Sequence, residues 1–185
     1  GHDGHTATFL AAAKFLCEDR GFQGTAMFVF QPAEEGGAGA KAMLDDGILE
    51  RFGPSRIFAL HNRPGLAVGE FETKSGCIMS ASDRFVVTVK GIGGHAALPH
   101  RANDPIVAAT GVINALNAVV ARFTDPLDPV VLSINAIHAG EAFNVIPDTV
   151  ELKGSLRTIS KRSRQECLDH LDRICSRVAE TYNLR

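Results

Sequence analysis

The chain has 185 residues, of which 45% are apolar and 22% are charged, and its formal net charge is −2. This composition is ordinary for a folded protein of one domain or two small ones. The small net charge argues against partners such as nucleic acid or an anionic membrane surface, and no apolar run is expected to cross a bilayer. The chain has four cysteines that are far apart, Cys17, Cys77, Cys167 and Cys175. Three of them fall in helix-like or strand-like apolar patterns, which favours buried thiols over disulfides or zinc ligands and a reducing, cytoplasmic compartment.

Helix-like and strand-like segments alternate in the first part of the chain. Apolar residues at helical spacing predict a helix over residues 6–19, which Asp3 or Thr6 could cap, and a shorter helix over 38–45. Short apolar runs predict buried strands at 25–30 and 56–60, with a further strand or hairpin at 65–71. This alternation favours an α/β domain with a mostly parallel sheet.

The character of the chain changes near residues 78–82, where we place a boundary between a domain of residues 1–79 and a domain of residues 80–185. The second domain is predicted to run strand, helix, strand, strand, helix, which is one strand short of a ferredoxin-like split β-α-β fold. The predicted segments are 84–90, 104–123, 130–138, 149–158 and 163–182.

Two adjacent carboxylates, Glu34 and Glu35, follow the first predicted strand and precede two glycines. Such a pair is either a solvated loop or a position where a cation relieves the repulsion between the two charges. His2 precedes the first predicted helix and His61 stands at the end of the second predicted strand, so all four side chains can meet at one sheet edge. Imidazole and carboxylate ligands suit zinc, manganese or a similar divalent ion.

Five stretches together carry a resemblance to a known family. They are GHDGHT (1–6), QPAEEGGAGA (31–40), ALHNRPGL (59–66), GGHAALPH (93–100) and HAGEAFNVIPDTVELKGSLRT (138–158). In order and spacing they resemble the M20 metallopeptidases and amidohydrolases, in the subgroup of hippurate hydrolases, N-acyl-amino-acid amidohydrolases and auxin-conjugate hydrolases. The resemblance implies a catalytic domain that holds two divalent metal ions and an inserted lid domain through which the protein forms a homodimer. Zinc or manganese is expected, with nickel and cobalt as further candidates.

The resemblance also implies roles for individual residues. His2, Glu35 and His61 would be metal ligands, and Glu34 the general base that activates a bridging water. His95 would reach the partner's active site and hydrogen-bond the oxyanion of the tetrahedral intermediate, with Asn144 beside it. Arg157 would bind the substrate carboxylate. The roles of His5 and Asp3 stay open.

The implied reaction is hydrolysis of the amide bond of a small N-acyl amino acid. In the family a cysteine directly before the position of Gly1 and a distant downstream histidine complete the metal site. The chain is therefore expected to be an internal stretch of a family member, inactive on its own and without the last lid strand. Two other interpretations remain: a dimerisation module with part of a catalytic domain, and a non-catalytic binding protein derived from the family.

Overall fold

A computed structural model describes residues 1–184 and divides the chain into two compact units, Gly1–Glu72 and Thr73–Arg185. The first unit has helices as its regular structure, whereas the second combines helices with β-sheet. The fold class is therefore mixed α/β, as predicted. Each unit is described separately below.

Three helices are present in the first unit: α1 (His2–Glu18), α2 (Gly39–Asp45) and α3 (Ile48–Phe52). Helix α1 begins four residues earlier than predicted, and neither Asp3 nor Thr6 caps it, because Gly1 is its N-cap residue. The carboxylate of Asp3 instead lies in the first turn, where the positive end of the helix dipole favours it. The early start places His2 on the helix rather than before it.

The predicted parallel sheet of the first unit is wrong, because residues 1–72 of the structure contain no strand. Residues 25–30 have no regular secondary structure, and Phe28 and Phe30 pack edge-on against Phe9 of α1 with ring centroids 5.3 and 5.8 Å apart. Residues 56–60 are likewise without a ladder, and the segment 65–71 forms turns instead. An apolar run predicts extended backbone, but a strand also needs a neighbouring strand to accept and donate its hydrogen bonds.

The second unit contains an antiparallel sheet with helices against one face. Its main elements, in the order that the sequence predicts, are β1 (Ala81–Lys90), α4 (Pro105–Ala118), β3 (Val130–Ala139), β5 (Thr149–Thr158) and α5 (Lys161–Thr181). The strand order is β1-β5-β3, with β5 in the centre. Two short strands that were not predicted, β2 (Gly94–His95) and β4 (Val145–Ile146), pair with each other.

Helix α4 supplies the centre of this unit's core. Asp104 caps it by accepting the N–H of Ile106, and Pro105 occupies its first turn, as predicted. The helix and the π-helical turn that follows it, Val119–Phe123, form a 19-residue apolar run that could span a membrane by length and composition, so the expectation that no run is long enough is corrected. Val112 and Leu116 on this run are fully buried with Leu152 and Leu156 of the sheet, so it is a core helix of the unit.

Two aspartates bind the start of α5. The guanidinium of Arg164 donates to both carboxylate oxygens of Asp83 on β1, at 2.8 and 2.6 Å. On the other side, the carboxylate of Asp128 accepts the hydroxyls of Ser160 and Ser163. These hydrogen bonds lower the pKa of both carboxyls, in Asp83 chiefly through Arg164 and in Asp128 chiefly through Ser160. The start of α5 is thus fixed to β1 and to the turn before β3.

The lowered pKa of Asp83 predicts an acid-dependent contribution to stability. Because the folded pKa lies below the ordinary value of 3.8, the contribution is complete above that pH and is lost as the pH falls through the folded value. Asp83→Asn should therefore lower the urea midpoint of the second unit near neutral pH. The difference from wild type should shrink well below pH 3.8. A constant difference at all pH values would contradict the ion-pair explanation.

Candidate metal centre and His95

Helix α1 carries two histidines on one face. His2 and His5 are three residues apart, a spacing that places two helical side chains next to each other, and their ring centroids lie 5.2 Å apart. The His61 ring lies 4.6 Å from the His5 ring and 5.6 Å from the His2 ring, centroid to centroid. The first turn of α1 and the segment that contains His61 therefore bring three imidazoles together.

A tight turn presents Glu34 and Glu35. The N–H of Gly37 donates to the carbonyl of Ala33, which closes the turn around the two glutamates, and Ala33 itself has a positive φ of 50°. Such a conformation costs an alanine on the order of 1 kcal/mol and is concentrated at functional sites. Gly39 lies directly against the residue that precedes this turn. A Cβ at position 39 would lie 1.7 Å from the carbonyl oxygen of Pro32, so a side chain does not fit there.

The glutamate turn faces His2. The Nδ1 atom of His2 lies 3.1 Å from a carboxylate oxygen of Glu35 and 3.6 Å from one of Glu34. Potential ligand atoms of His2, Glu34 and Glu35 lie within 4.8 Å of one another, and so do those of the three histidines. His2 belongs to both groups. Imidazole nitrogens and carboxylate oxygens at this separation fit a divalent ion such as zinc or manganese.

The backbone carbonyl and N–H of Asn62 make hydrogen bonds with two of the histidines, His61 and His5. Its backbone carbonyl lies 2.7 Å from the Nδ1 of His61 and can only accept, so this nitrogen carries the proton and the Nε2 of His61 is left free. Its backbone N–H donates to the Nε2 of His5 at 3.0 Å. A free Nε2 on an imidazole whose other nitrogen donates to a carbonyl is the usual arrangement of a metal-binding histidine.

In the second unit, the loop that carries His95 is fixed by backbone pairing. The strands β2 and β4 pair Gly94 with Ile146 and His95 with Val145, and the N–H of Ala96 donates to the carbonyl of Asn144 at 3.0 Å. The structure therefore brings the predicted residues His95 and Asn144 together. Gly93 permits this approach, because a Cβ at that position would lie 2.7 Å from the carbonyl oxygen of Ile146.

The side chain of His95 is exposed, and one hydrogen bond sets its tautomer. The backbone N–H of Ala97 donates to its Nδ1 at 3.1 Å. A backbone N–H cannot accept, so Nδ1 is unprotonated and the proton of the neutral ring is on Nε2. His95 consequently presents an N–H donor, which is the group that a negatively charged oxygen needs.

The structure separates Arg157 from this pair. It lies near the end of β5, opposite Ser82 and Val131 in the sheet, whereas β2 and β4 adjoin the beginning of β5 at Thr149. Eight residues of extended strand span about 26 Å. An N-acyl amino acid is much shorter, so one substrate molecule cannot contact both Arg157 and His95 of the same chain.

Asn62 and Ala97 belong to these groups without a sequence pattern that indicates it. Ala97 contributes its backbone N–H and Asn62 contributes both of its backbone polar groups, which every residue except proline supplies in full, although the side chain of Asn62 also contacts His5. The sequence leaves the role of His5 open. Its closeness to His2 followed only once α1 was seen to include both residues.

Comparison with known proteins places these residues in a family context. The model of Peptidase family M20/M25/M40 matches residues 1–182. The N-acetylcysteine deacetylase of Bacillus subtilis is 43% identical over 183 residues, which are 98% of this chain and 48% of that protein. The hippurate hydrolase of Campylobacter jejuni is 42% identical over 184 residues, which are 100% of this chain and 48% of that protein.

A solved structure gives the same result. The Bacillus subtilis protein YXEP, described as a dinuclear metal binding peptidase from the M20 family, superposes with a TM-score of 0.76 at 38% identity, covering 100% of this chain and 46% of that one. The chain thus spans about half the length of the curated relatives that it matches. With a family match over nearly every residue, the chain belongs to Peptidase family M20/M25/M40.

Proposed function

We propose that the whole protein, meaning the complete polypeptide that contains residues 1–185, hydrolyses the amide bond of N-acyl amino acids with the help of two divalent metal ions. The observation that carries this proposal is the convergence of His2, Glu34 and Glu35 with His61 at the start of α1. The relatives named for deacetylation of N-acetylcysteine and for hydrolysis of hippurate, both of which are N-acyl amino acids, support the substrate class.

His2, Glu35 and His61 would hold the metal. His2 and Glu35 already approach within 3.1 Å, and His61 offers its Nε2 because its Nδ1 donates to the carbonyl of Asn62. The relative described as dinuclear supports two ions rather than one. When bound, divalent ions polarise the substrate carbonyl and lower the pKa of a coordinated water. Zinc and manganese are the first candidates, followed by nickel and cobalt.

Glu34 would act as the general base. Its side chain is 57% exposed and lies beside His2, so it can reach both water and substrate while its neighbour Glu35 contacts the same imidazole more closely. Glu34 takes a proton from the attacking water, whose oxygen bonds to the acyl carbon. The carbon–nitrogen bond then breaks, and Glu34 passes the proton to the leaving amine. The products are a carboxylate and a free amino acid.

His95 would stabilise the negative charge that develops on the carbonyl oxygen during this attack. Its Nε2–H is the donor, because the N–H of Ala97 occupies Nδ1. Asn144 is held beside it through the Ala96 hydrogen bond and would assist. We propose that this histidine acts on the active site of a partner subunit in a homodimer formed through the second unit. Arg157 and His95 of one chain are too far apart to contact the same substrate molecule. Arg157 would therefore bind the carboxylate of a substrate whose oxyanion is stabilised by His95 of the other subunit.

Metal analysis combined with a substrate screen tests the proposal. The whole protein, purified with and without a chelator, is analysed for bound metal and assayed with N-acetyl, N-benzoyl and N-indoleacetyl amino acids. We expect about two ions per chain and hydrolysis that is lost with the chelator and restored by zinc or manganese. A metal-replete protein that hydrolyses none of these amides would favour the binding or dimerisation interpretations instead.

A further inference from the structure

His5 lies within the histidine cluster but outside the proposed set of ligands. Its ring is 4.6 Å from that of His61 and 5.2 Å from that of His2, centroid to centroid, so proximity alone would admit it as another ligand. The hydrogen bonds of its Nε2 decide between a ligand and a supporting residue. They all involve one residue, Asn62.

Two atoms of Asn62 contact the Nε2 of His5, namely the backbone N–H at 3.0 Å and the side-chain Oδ1 at 2.8 Å. The two contacts cannot both be hydrogen bonds, because an Nε2 that accepts the backbone N–H has no proton to donate to Oδ1. The backbone N–H is fixed in direction, whereas the oxygen and nitrogen of an asparagine amide exchange by a simple rotation. We therefore take Nε2 as the acceptor, with the amide turned to donate as well.

This assignment leaves His5 without a lone pair for a metal. Its Nε2 pair is directed at Asn62, and the proton of the neutral ring is then on Nδ1. The backbone carbonyl of Asn62 is also occupied, because it accepts a hydrogen bond from the Nδ1 of His61 at 2.7 Å. The two backbone polar groups of Asn62 are thus hydrogen-bonded to His5 and to His61.

We propose that His5 is a positioning residue of the metal centre: it fixes Asn62 against α1, and Asn62 in turn fixes the tautomer and orientation of His61. Gly1 belongs to the same contact, because a Cβ at that position would lie 3.0 Å from the nearer atom of the Asn62 side-chain amide. Helix α1 therefore supplies one ligand, His2, and supports a second, His61, through His5. The inference rests on the proposed function in one respect, that His61 binds a metal.

Two amide variants of His5 test this role in the whole protein. Glutamine places its side-chain oxygen near the position of Nε2, whereas asparagine is too short to reach Asn62. Binding of Co²⁺, followed by its absorption spectrum and by calorimetric titration, should be close to wild type in His5→Gln. It should be about 10- to 100-fold weaker in His5→Asn, the range typical for loss of outer-shell support to a metal ligand.

Any other combination of results for the two variants overturns the inference. If both variants lose Co²⁺ affinity equally, His5 is a ligand, since neither amide replaces an imidazole on the metal. If both bind as wild type does, His5 supports nothing. Circular dichroism confirms that each variant retains its helix content. A wild-type protein that binds no Co²⁺ would refute the proposed metal centre, and the metal-free measurement that follows still decides the role of His5.

The metal-free measurement is the protonation pattern of the imidazoles. Long-range ¹H–¹⁵N spectra distinguish the two ring nitrogens and show which of them carries the proton. In the wild-type protein we expect both His5 and His61 to carry the proton on Nδ1. In His5→Asn, the His61 ring should lose its single tautomer and become a mixture, whereas in His5→Gln it should not. A proton on the Nε2 of His5 in the wild type would overturn the assignment.

Discussion

Replacing Glu34 with glutamine should lower kcat for N-acyl amino acid hydrolysis by about 10²–10⁴-fold while the metal stays bound. Glutamine keeps the size of the side chain and its position in the tight turn after Ala33, but it cannot accept a proton from water. The His2 imidazole lies closer to Glu35 than to Glu34, 3.1 against 3.6 Å, so the loss of the Glu34 charge should leave a ligand in place. The measurement is kcat beside metal content by elemental analysis.

Glu35→Gln is the matched control for this prediction. It makes the same chemical change at the adjacent residue of the same turn, so it tests whether the two glutamates have different roles. We expect Glu35→Gln to lose metal, because a neutral amide is a much poorer ligand than a carboxylate for these ions. If Glu34→Gln retained near-normal turnover, or if the two variants lost metal equally, the assignment of base and ligand would be wrong.

The convergence of His2, Glu34, Glu35 and His61 could be predicted from sequence, although the predicted reason for it was partly wrong. The prediction placed Glu34 and His61 at the ends of two parallel strands, and residues 1–72 of the structure contain neither strand. The side chains converge because α1 begins at His2 and because the turn around Glu34 and Glu35 faces that helix. The sequence pattern indicates polar residues after apolar runs, but it does not show whether a neighbouring strand is present to complete the hydrogen-bonded ladder.

The second unit was predicted more closely, because its pattern determines its structure locally. The alternation of apolar and polar residues in 149–158 matches β5 residue for residue, and Asp104 with Pro105 marks the start of α4. The short pairing of β2 with β4 could not be predicted, since two residues carry no periodicity. That pairing, rather than any side-chain pattern, is what holds His95 beside Asn144.

Backbone groups also set the tautomers, and this information is absent from the sequence. The N–H of Ala97 assigns the proton of His95 to Nε2, and the carbonyl of Asn62 assigns that of His61 to Nδ1. One histidine is thereby left with a donor facing outward and the other with a free lone pair. The same residue type is thus suited to binding an oxyanion in one unit and a metal in the other.

His95→Ala should lower kcat by about 10²–10³-fold, the usual cost of removing one donor to a developing oxyanion. Metal content should not change, because His95 belongs to the second unit and the proposed ligands to the first. His95→Gln should recover part of the rate, since its amide can present an N–H where the Nε2–H of the imidazole was. Equal loss in the alanine and glutamine variants would argue against a donor role.

Mixing two variants of very low activity tests whether His95 acts on the partner subunit. In a heterodimer of Glu34→Gln and His95→Ala chains, one active site would combine an intact Glu34 with an intact His95 from the other chain. Random reassortment of subunits should then restore about a quarter of the wild-type activity, because half of the dimers are mixed and each has one complete site. If both residues act within one chain, every site of the mixed dimer lacks one of them and no activity returns. Recovery in the mixture, far above the activity of either variant alone, would therefore establish both the homodimer and the shared site.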